Sequence, residues 1–422
     1  MPFILFSLTG LNHYFPTVPE WPYSLGGFEL FEGVSGIPLS FSFAWVGLFY
    51  FVDHSIVLSV WFFYLIAKIE DGLFTISGIA SSEVLSQYEN YNTPDMSHQG
   101  VGAVLVFVLF GLWAGRAHLK DVWEQAWHPV ADRDGIDAQE LLSYRAALCG
   151  FAISLAFLAI WLWHPGVPFA ALPFFLLMVL VYYIMITRVT AAGGIPSARP
   201  PIVAPYVVIS GMGASILGSK GIVAMGLAMG WQAEMRLFPM IACANGLKLA
   251  EMVPGPKGRL FWGMLVAVAC SLAGGTWMLL TLGYEHGGIN LGGPFLGNGN
   301  NWHFLNPVLQ NQPEVSIRGW IFTGIGGTIE GFLMWANHRW FWWPLHPLGF
   351  VVCNGFMTGH IWLSAIVAWT VKVSILKYGG PSLFTNLKPF FLGLILGQAV
   401  CSGTWLAIDY MSDGVGNALG FM

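Results

Sequence analysis

The sequence predicts an all-α fold: a polytopic membrane bundle of about ten embedded helices. Three observations carry this. Of 422 residues, 56% are hydrophobic and only 9% charged, where a soluble domain carries about 25% charged residues. The apolar stretches 101–113, 146–163, 169–187, 260–282 and 387–409 are continuous rather than alternating. Continuity suits spanning helices of about 20 residues and not barrel strands of about 10. Third, the few cations fall in patches that alternate along the chain.

These numbers exclude a soluble enzyme, a disordered chain and a nucleic-acid binder, which needs a basic face. The five cysteines, Cys149, Cys243, Cys270, Cys353 and Cys401, are widely spaced, with no CxxC pair. An odd count at such spacing points neither to a disulfide framework nor to a covalent haem site. They read as small buried hydrophobes.

Fourteen of the 17 Lys and Arg residues lie in 116–145, 188–199, 236–259, at Arg339 and in 372–388. The stretches 11–33, 85–100, 164–168 and 283–317 contain none. Cytoplasmic loops carry the cation excess, so the first set faces the cytoplasm and the second faces outward. The chain is then one integral membrane domain over residues 1–422, with an external loop at 283–317 and a cytoplasmic loop at 116–145.

The elements follow in order. Residues 1–10 form the stub of a helix. Residues 35–51 span inward and 55–74 span back, with Asp53 and His54 at the inner turn. Segments 101–113, 146–163 and 169–187 cross in turn. The Gly-rich segment 202–231 begins and ends on the inner side and is too short for two full spans, so it reads as two short or broken helices. Residues 236–251 form a helix on the inner surface. Segments 260–282 and 318–337 cross, 340–372 leaves and returns as a short or bent pair, and 387–409 makes the last exit. Trp335, Trp340, Trp342 and Trp343 make an aromatic belt at the cytoplasmic surface.

A charge in hydrocarbon costs several kcal/mol and needs a reason. Glu330 is such a charge, on a helix where Gly327 and Gly331 have small-xxx-small spacing. A carboxylate there can bind a proton or cation. Asp53 and His54 form either a proton-linked pair or a polar hairpin turn. Lys68 lies within a span and can snorkel or pair with Glu70 or Asp71. Arg188 ends a span and is followed by Thr190-Ala-Ala-Gly-Gly-Ile-Pro, with Pro200, Pro201 and Pro205 blocking a continuous helix. Broken helices at membrane depth are tolerated where protein or a water-filled cavity satisfies the backbone, and transporters build substrate sites from them. His338, His346 and His360 form the remaining set. They suit interfacial positions better than paired haem ligands, and no cofactor or metal is assigned. No HExxH, Walker A, GxSxG or EF-hand pattern occurs.

Several segments, in order, carry a resemblance: Pro38-Leu-Ser-Phe, Trp61-Phe-Phe-Tyr-Leu, Leu142-Ser-Tyr-Arg-Ala-Ala-Leu, Ile186-Thr-Arg, Trp342-Trp-Pro-Leu-His-Pro-Leu-Gly and Pro389-Phe-Phe-Leu-Gly-Leu-Ile-Leu-Gly. The chain resembles a family of uncharacterised bacterial polytopic membrane proteins whose domains are of unknown function. That resemblance implies the bacterial inner membrane, and further N-terminal helices that this chain lacks. More distantly the family is similar to the oligopeptide transporters, in which an Arg-ended helix is followed by a small, polar break and a Gly-rich hairpin, as in 188–218 here. The acidic residue usual in that break is absent, where this sequence reads Thr190-Ala-Ala-Gly-Gly.

The expected function is a secondary transporter for a small organic solute, not an enzyme. Segments 202–231 and 319–337 would line the path, with Glu330 as ion site and Arg188 as anion contact. The alternative is a non-catalytic subunit of a larger membrane complex, and a third reading is a haem- or quinone-binding redox subunit. Expected partners are membrane lipid and, under the alternative, other membrane subunits; nucleic acid is not among them.

Overall fold

The computed structural model describes residues 2–21, 24–31, 35–81, 83, 93–128, 141–195, 198–232, 239–250, 258–291, 300–412 and 417. The chain opens with α1 (Pro2–Tyr14), then the antiparallel hairpin β1 (Ser24–Leu30) and β2 (Ser35–Ser40). Next come α2 (Phe43–Phe51), α3 (His54–Ile76), α4 (Pro94–Ala114), α5 (Arg116–Trp127), α6 (Tyr144–Trp163) and α7 (Leu172–Gly193). The central part holds α8 (Ala204–Met212), α9 (Ala214–Gln232), α10 (Pro239–Ala250), α11 (Gly258–His286) and α12 (Asn300–Asn311). The last part is α13 (Ile317–Arg339), α14 (Pro347–Val352), α15 (Phe356–Ser374), a π-helical turn (Ile375–Gly379) and α16 (Gly380–Ser412). Among the described residues, five helical stretches are long and apolar enough to cross a membrane: Pro94–Ala114, Tyr144–Trp163, Leu172–Gly193, Arg259–His286 and Phe356–Ser412.

The bundle has two ends. The upper end carries Ile76, Pro94 and Ile317, and the lower end carries His54, Arg339 and Lys372. Its tightest contact is the parallel pair α4 and α13, where glycine removes the side chain that would hold the backbones apart. A Cβ on Gly102 would fall on the Thr323 carbonyl, and one on Gly326 would fall on the Gln99 carbonyl. Gly327 also faces Gly102, whereas at Gly331 the nearest atom is Val106 Cγ1 at 3.8 Å. The close approach therefore runs from Gly319 to Gly327 and has opened by Gly331. Between helices in lipid, such van der Waals contact replaces the hydrophobic drive.

A polar joint and a ring stack fasten α2 at opposite ends. Ser42 gives α2 no cap from its own side chain; instead Gln398 Oε1 on α16 accepts from the Ala44 N–H at 2.9 Å and the Ser42 hydroxyl at 3.1 Å. At the other end Tyr50 stacks on Phe391 with centroids 3.7 Å apart and donates to the Phe384 carbonyl.

The structure departs from the sequence reading at several places. Segment 35–51 is a strand plus a nine-residue helix, not a span. Gly36 and Pro38 disfavour helix there, and the Pro38 carbonyl is taken by Trp362 Nε1 at 2.8 Å. Helix α4 begins at Pro94, seven residues before its apolar run, because Pro suits the first turn. Segment 202–231 is broken as expected, but α8 carries the chain to the upper end, where the Ser210 carbonyl accepts from Ser316 N–H and Trp320 Nε1. Helix α10 lies against α7 and α11, with Ile241 on the main core, so it is not a free surface helix; Arg236 lies outside the described residues. In 116–145, Asp132, Asp134 and Asp137 also lie outside them. The loop 283–317 contains α12, whose Leu305 fills the notch left by Gly226. The described part of segment 1–10, from Pro2 on, lies within α1, whose Tyr14 hydroxyl donates to Asp409 on α16 at 2.6 Å.

Candidate functional site

Two interruptions of helical structure meet inside the bundle. The first follows α7, which ends where Gly194 turns left-handed at φ 60° and its N–H closes on the Thr190 carbonyl. The described residues 194, 195 and 198–203 are not helical; Gly194 faces Val52 at the lower end and Pro201 lies against Gly100 on α4. Pro200, Pro201 and Pro205 prevent a helix from forming earlier than α8. Part of the exposed backbone is satisfied locally, since the Thr190 hydroxyl donates to the Ile195 carbonyl at 3.2 Å.

The second interruption is Cys353-Asn354-Gly355, between the rising half-helix α14 and the descending α15. His346 caps α14 by accepting from the Leu348 N–H, and its own N–H donates to Ser59 Oγ at 2.6 Å. Asn354 Nδ2 reaches the Met96 carbonyl at 3.3 Å. Arg199 of the first break lies over the ring of Phe356, which opens α15, at 5.3 Å. The sequence reading of 340–372 as a short or bent pair matches this geometry.

Glu330, on α13, is 0% exposed, and neither of its carboxylate oxygens has a hydrogen-bond partner among the described residues. The charge that acts on it is that of Arg188 on α7. Arg188 is itself held by α4: its guanidinium donates to the Phe107 carbonyl at 2.9 Å, sits 4.3 Å above the Phe107 ring, and fills the notch of Gly111. The two residues singled out in the sequence, 142 positions apart in number, are thus brought within electrostatic reach.

Asp53 and His54 are placed elsewhere, on an exposed turn at the lower end. Asp53 is the N-cap of α3, accepting from the Ser55 N–H at 2.8 Å and the Ser55 hydroxyl at 2.7 Å. Partial burial raises its carboxyl, but the Ser55 hydrogen bonds, His54 and the more distant Lys372 outweigh that and hold it below the usual range. His54 Nδ1 lies 3.7 Å from it, with both side chains well exposed. This is capping chemistry.

A cluster at the upper end was not legible in the sequence. Asp95, 1% exposed, receives two bonds from Arg318, at 2.9 and 2.7 Å, and one from the Ser81 N–H at 3.0 Å. The second Arg318 nitrogen also donates to the Ile79 carbonyl. Glu83 Oε2 lies 3.3 Å from His98 Nε2 and accepts from the Ser316 hydroxyl at 2.9 Å. Burial pushes the Glu83 carboxyl up, but hydrogen bonds from His98, Ser316 and Tyr206, with the His98 charge, hold it below the ordinary value. The available signal was the start of α4: Thr93 at the cap position and Pro94 behind it place Asp95 and His98 inside the helix rather than in a loop.

A cavity of about 300 Å³ opens beside the second break. Tyr64 and Lys68 of α3, Pro38 of the hairpin and His360 of α15 line it. Lys68, expected to snorkel or to pair with Glu70 or Asp71, borders this space, and the Asp71 charge acts on it. His338 is exposed at the end of α13. Among the described residues, no three His, Cys, Asp or Glu side chains come together in a group that could hold a metal ion.

No curated protein and no solved structure matches the chain. The model of one family, described as a family of unknown function (DUF6785), matches residues 1–418, and the chain belongs to that family.

Proposed function

We propose that this is a secondary transporter for a small organic solute, embedded in the inner membrane of a bacterium by about ten helices, including the short and broken ones. The observation that carries the reading is Glu330: a fully buried carboxylate with no hydrogen-bond partner among the described residues, on a helix packed backbone to backbone against α4. A purely structural buried carboxylate is hydrogen-bonded or replaced by an apolar residue. One kept in this state suits a group that takes up and releases a proton or cation during a cycle. The Arg188 charge acts on it from α7, six residues before the break that begins at Gly194. Segment 202–231 and α13 line the proposed path, and the two breaks supply the flexible points for alternating access.

The reading assigns Glu330 the ion or proton site and Arg188 an anion contact. The cation-rich end, with Lys372, Lys377, Lys388 and Arg339, faces the cytoplasm. Flux into proteoliposomes tests the reading. Solute uptake driven by a proton or sodium gradient is expected, and Glu330→Gln should leave binding and abolish gradient-driven accumulation. Transport unaltered by Glu330→Gln removes that role, and no uptake of any solute removes the class.

A second reading, an accessory subunit of a membrane complex, is favoured by one observation. Most large side chains of α6 and α11 are uncovered, among them Trp161, Trp163, Trp262 and Trp277. Lipid covers such faces as well as protein does. Extraction in mild detergent followed by sizing and mass spectrometry separates the two, since a lone transporter runs as a monomer or homo-oligomer.

A further inference from the structure

We propose that Glu70 is the outer station of a proton path that leads from the upper end of the bundle to Glu330. The inference deepens the transporter reading and rests on it for the role of Glu330.

Depth separates the two carboxylates. Measured along the helix axes, Glu70 lies about 9 Å below Ile76, the upper end of α3, and Glu330 about 20 Å below Ile317, the upper end of α13. Glu70 is partly exposed, whereas Glu330 is fully buried. A proton that enters from above meets Glu70 first.

Helix α4 connects them. Gln99 Nε2 donates to Glu70 Oε1 at 2.6 Å, and the Gln99 backbone is pressed against Gly326 of α13. Glu330 follows Gly326 by four residues, which puts it on the same face of α13, one turn further down. The second helix break meets the same turn of α4. There Asn354 Nδ2 reaches the Met96 carbonyl at 3.3 Å, and the charges of both Glu70 and Glu330 act on Cys353. Side-chain bonding, backbone packing and electrostatic reach therefore place the two acids on the border of one region.

In the transfer step the Glu70 carboxyl gives its proton to bound water, the water passes a proton on, and the Glu330 carboxylate becomes a carboxyl. One O–H bond breaks at Glu70 and one forms at Glu330, so the negative charge moves outward as the proton moves in. Gln99 Oε1 and both Glu330 oxygens are buried with no hydrogen-bond partner among the described residues, and they offer acceptors to such water.

The charged groups along the route are arranged by depth. Asp71 acts on Glu70 from the same helix, and on Lys68 as well. On α4, Asp95 is held by Arg318, and His98 lies against Glu83. Arg188 acts on Glu330 from α7, and on His346 at the start of α14. The route thus has two carboxylates, Glu70 and Asp71, at its outer station and a cation beside its inner one.

Infrared spectroscopy of the purified full chain in detergent tests the path without any solute. Buried protonated carboxyls give separate C=O stretching bands, and Glu330→Gln identifies the band of Glu330. After a rapid jump to acid, that band should grow roughly a hundredfold more slowly in Glu70→Gln than in the parent, the lower end of what a positioned proton-transfer group contributes. Its final amplitude should be kept. Glutamine has the same size and still accepts from Gln99, so a slower response reports the lost proton and not a lost hydrogen bond. Glu70→Asp should recover part of the rate. Gln99→Leu keeps the Glu70 carboxyl but frees it, and should slow the response several-fold; it supplies the test if Glu70→Gln does not elute as the parent does. An unchanged rate in these variants overturns the path, as does a slow rate in Glu70→Gln that aspartate leaves uncorrected. A Glu330 band that ignores pH overturns the ion site and the path together. The expected rates in a protein that moves no solute into proteoliposomes would overturn the transporter reading alone. Proton-driven uptake at the parent rate by Glu70→Gln would overturn the path alone.

Discussion

Arg199 lies with its guanidinium carbon 5.3 Å from the centre of the Phe356 ring. The contact joins the first break, whose described residues 194, 195 and 198–203 are non-helical, to the helix start that follows Cys353-Asn354-Gly355. Each interruption alone is a kink with a local cause, proline in one case and glycine in the other. Together they put two helix breaks, a cation and an aromatic face at one place. Glu330 lies fully buried on α13, and the charge acting on it belongs to Arg188, six residues before the first break begins.

The state of Glu330 makes a prediction about stability. Among the described residues no hydrogen bond relieves its desolvation, so removing the group should help the fold. Glu330→Leu is expected to raise stability by about 1–3 kcal/mol while abolishing gradient-driven uptake. Arg188 keeps its bond to the Phe107 carbonyl and its ring contact in that variant. Thermal unfolding in detergent reads the first effect and proteoliposome flux the second. A lowered midpoint would mean that Glu330 is satisfied in the folded protein.

The α4 and α13 seam predicts a position-specific pattern among glycines on one helix. Gly326→Ala drives a methyl group into the Gln99 backbone and should cost about 1–3 kcal/mol by overpacking. Gly324→Ala on the same helix meets nothing within 4 Å, and Gly331→Ala meets only Val106 at 3.8 Å. These two should be neutral or slightly stabilising, because Ala is the better helix former. Three midpoints measured side by side decide it, and equal losses at all three would rule out the seam as described.

How much of this was legible in the sequence depends on the kind of signal. Glu330 stood out because a charge in an apolar run is rare, and the break after Arg188 stood out because Pro and Gly act locally. The pairing of Glu330 with Arg188 left no sequence trace, since it depends on how α7 and α13 pack on α4. The cavity was hidden for the same reason: Tyr64, Lys68 and His360 lie on two helices almost 300 residues apart and follow no spacing rule. The hairpin of 24–40 was missed because Ile37, Leu39 and Phe41 extend the apolar run of α2 backwards. Hydropathy averages over the Gly and Pro that set the backbone. The upper cluster was missed because Asp95 and His98 precede the apolar part of α4 and were taken with the external loop.

At that cluster, Arg318 bonds both oxygens of a carboxylate that is almost fully buried, while being itself about half exposed. Arg318→Gln leaves Asp95 with the Ser81 N–H but without its countercharge, and should lower the unfolding midpoint, by less than the loss of a fully buried pair because solvent screens Arg318. Arg318→Lys should recover part of this, since it restores the charge without the two-pronged geometry. Chemical or thermal unfolding of the two variants gives the comparison. A loss indistinguishable from zero for the glutamine variant would mark the pair as a surface contact.

Glu83 gives the pH dependence. Burial raises its carboxyl, and the bonds from His98, Ser316 and Tyr206 more than offset this, so the folded value lies below the ordinary 4.5. The unfolded chain then takes up a proton at a higher pH than the folded one. The stabilisation is therefore complete above 4.5 and is lost as pH falls through the depressed folded value. Glu83→Gln keeps the size of the side chain and removes the charge, at a cost of about 1 kcal/mol at pH 7 from weakened hydrogen bonds. The stability curves of parent and variant should run parallel at neutral pH and converge only below 4.5. The measurement is the thermal midpoint of both proteins across that range. A gap that persists unchanged into strong acid would show that the loss comes from altered packing, and a gap that closes already near neutrality would show that the Glu83 carboxyl is raised rather than lowered.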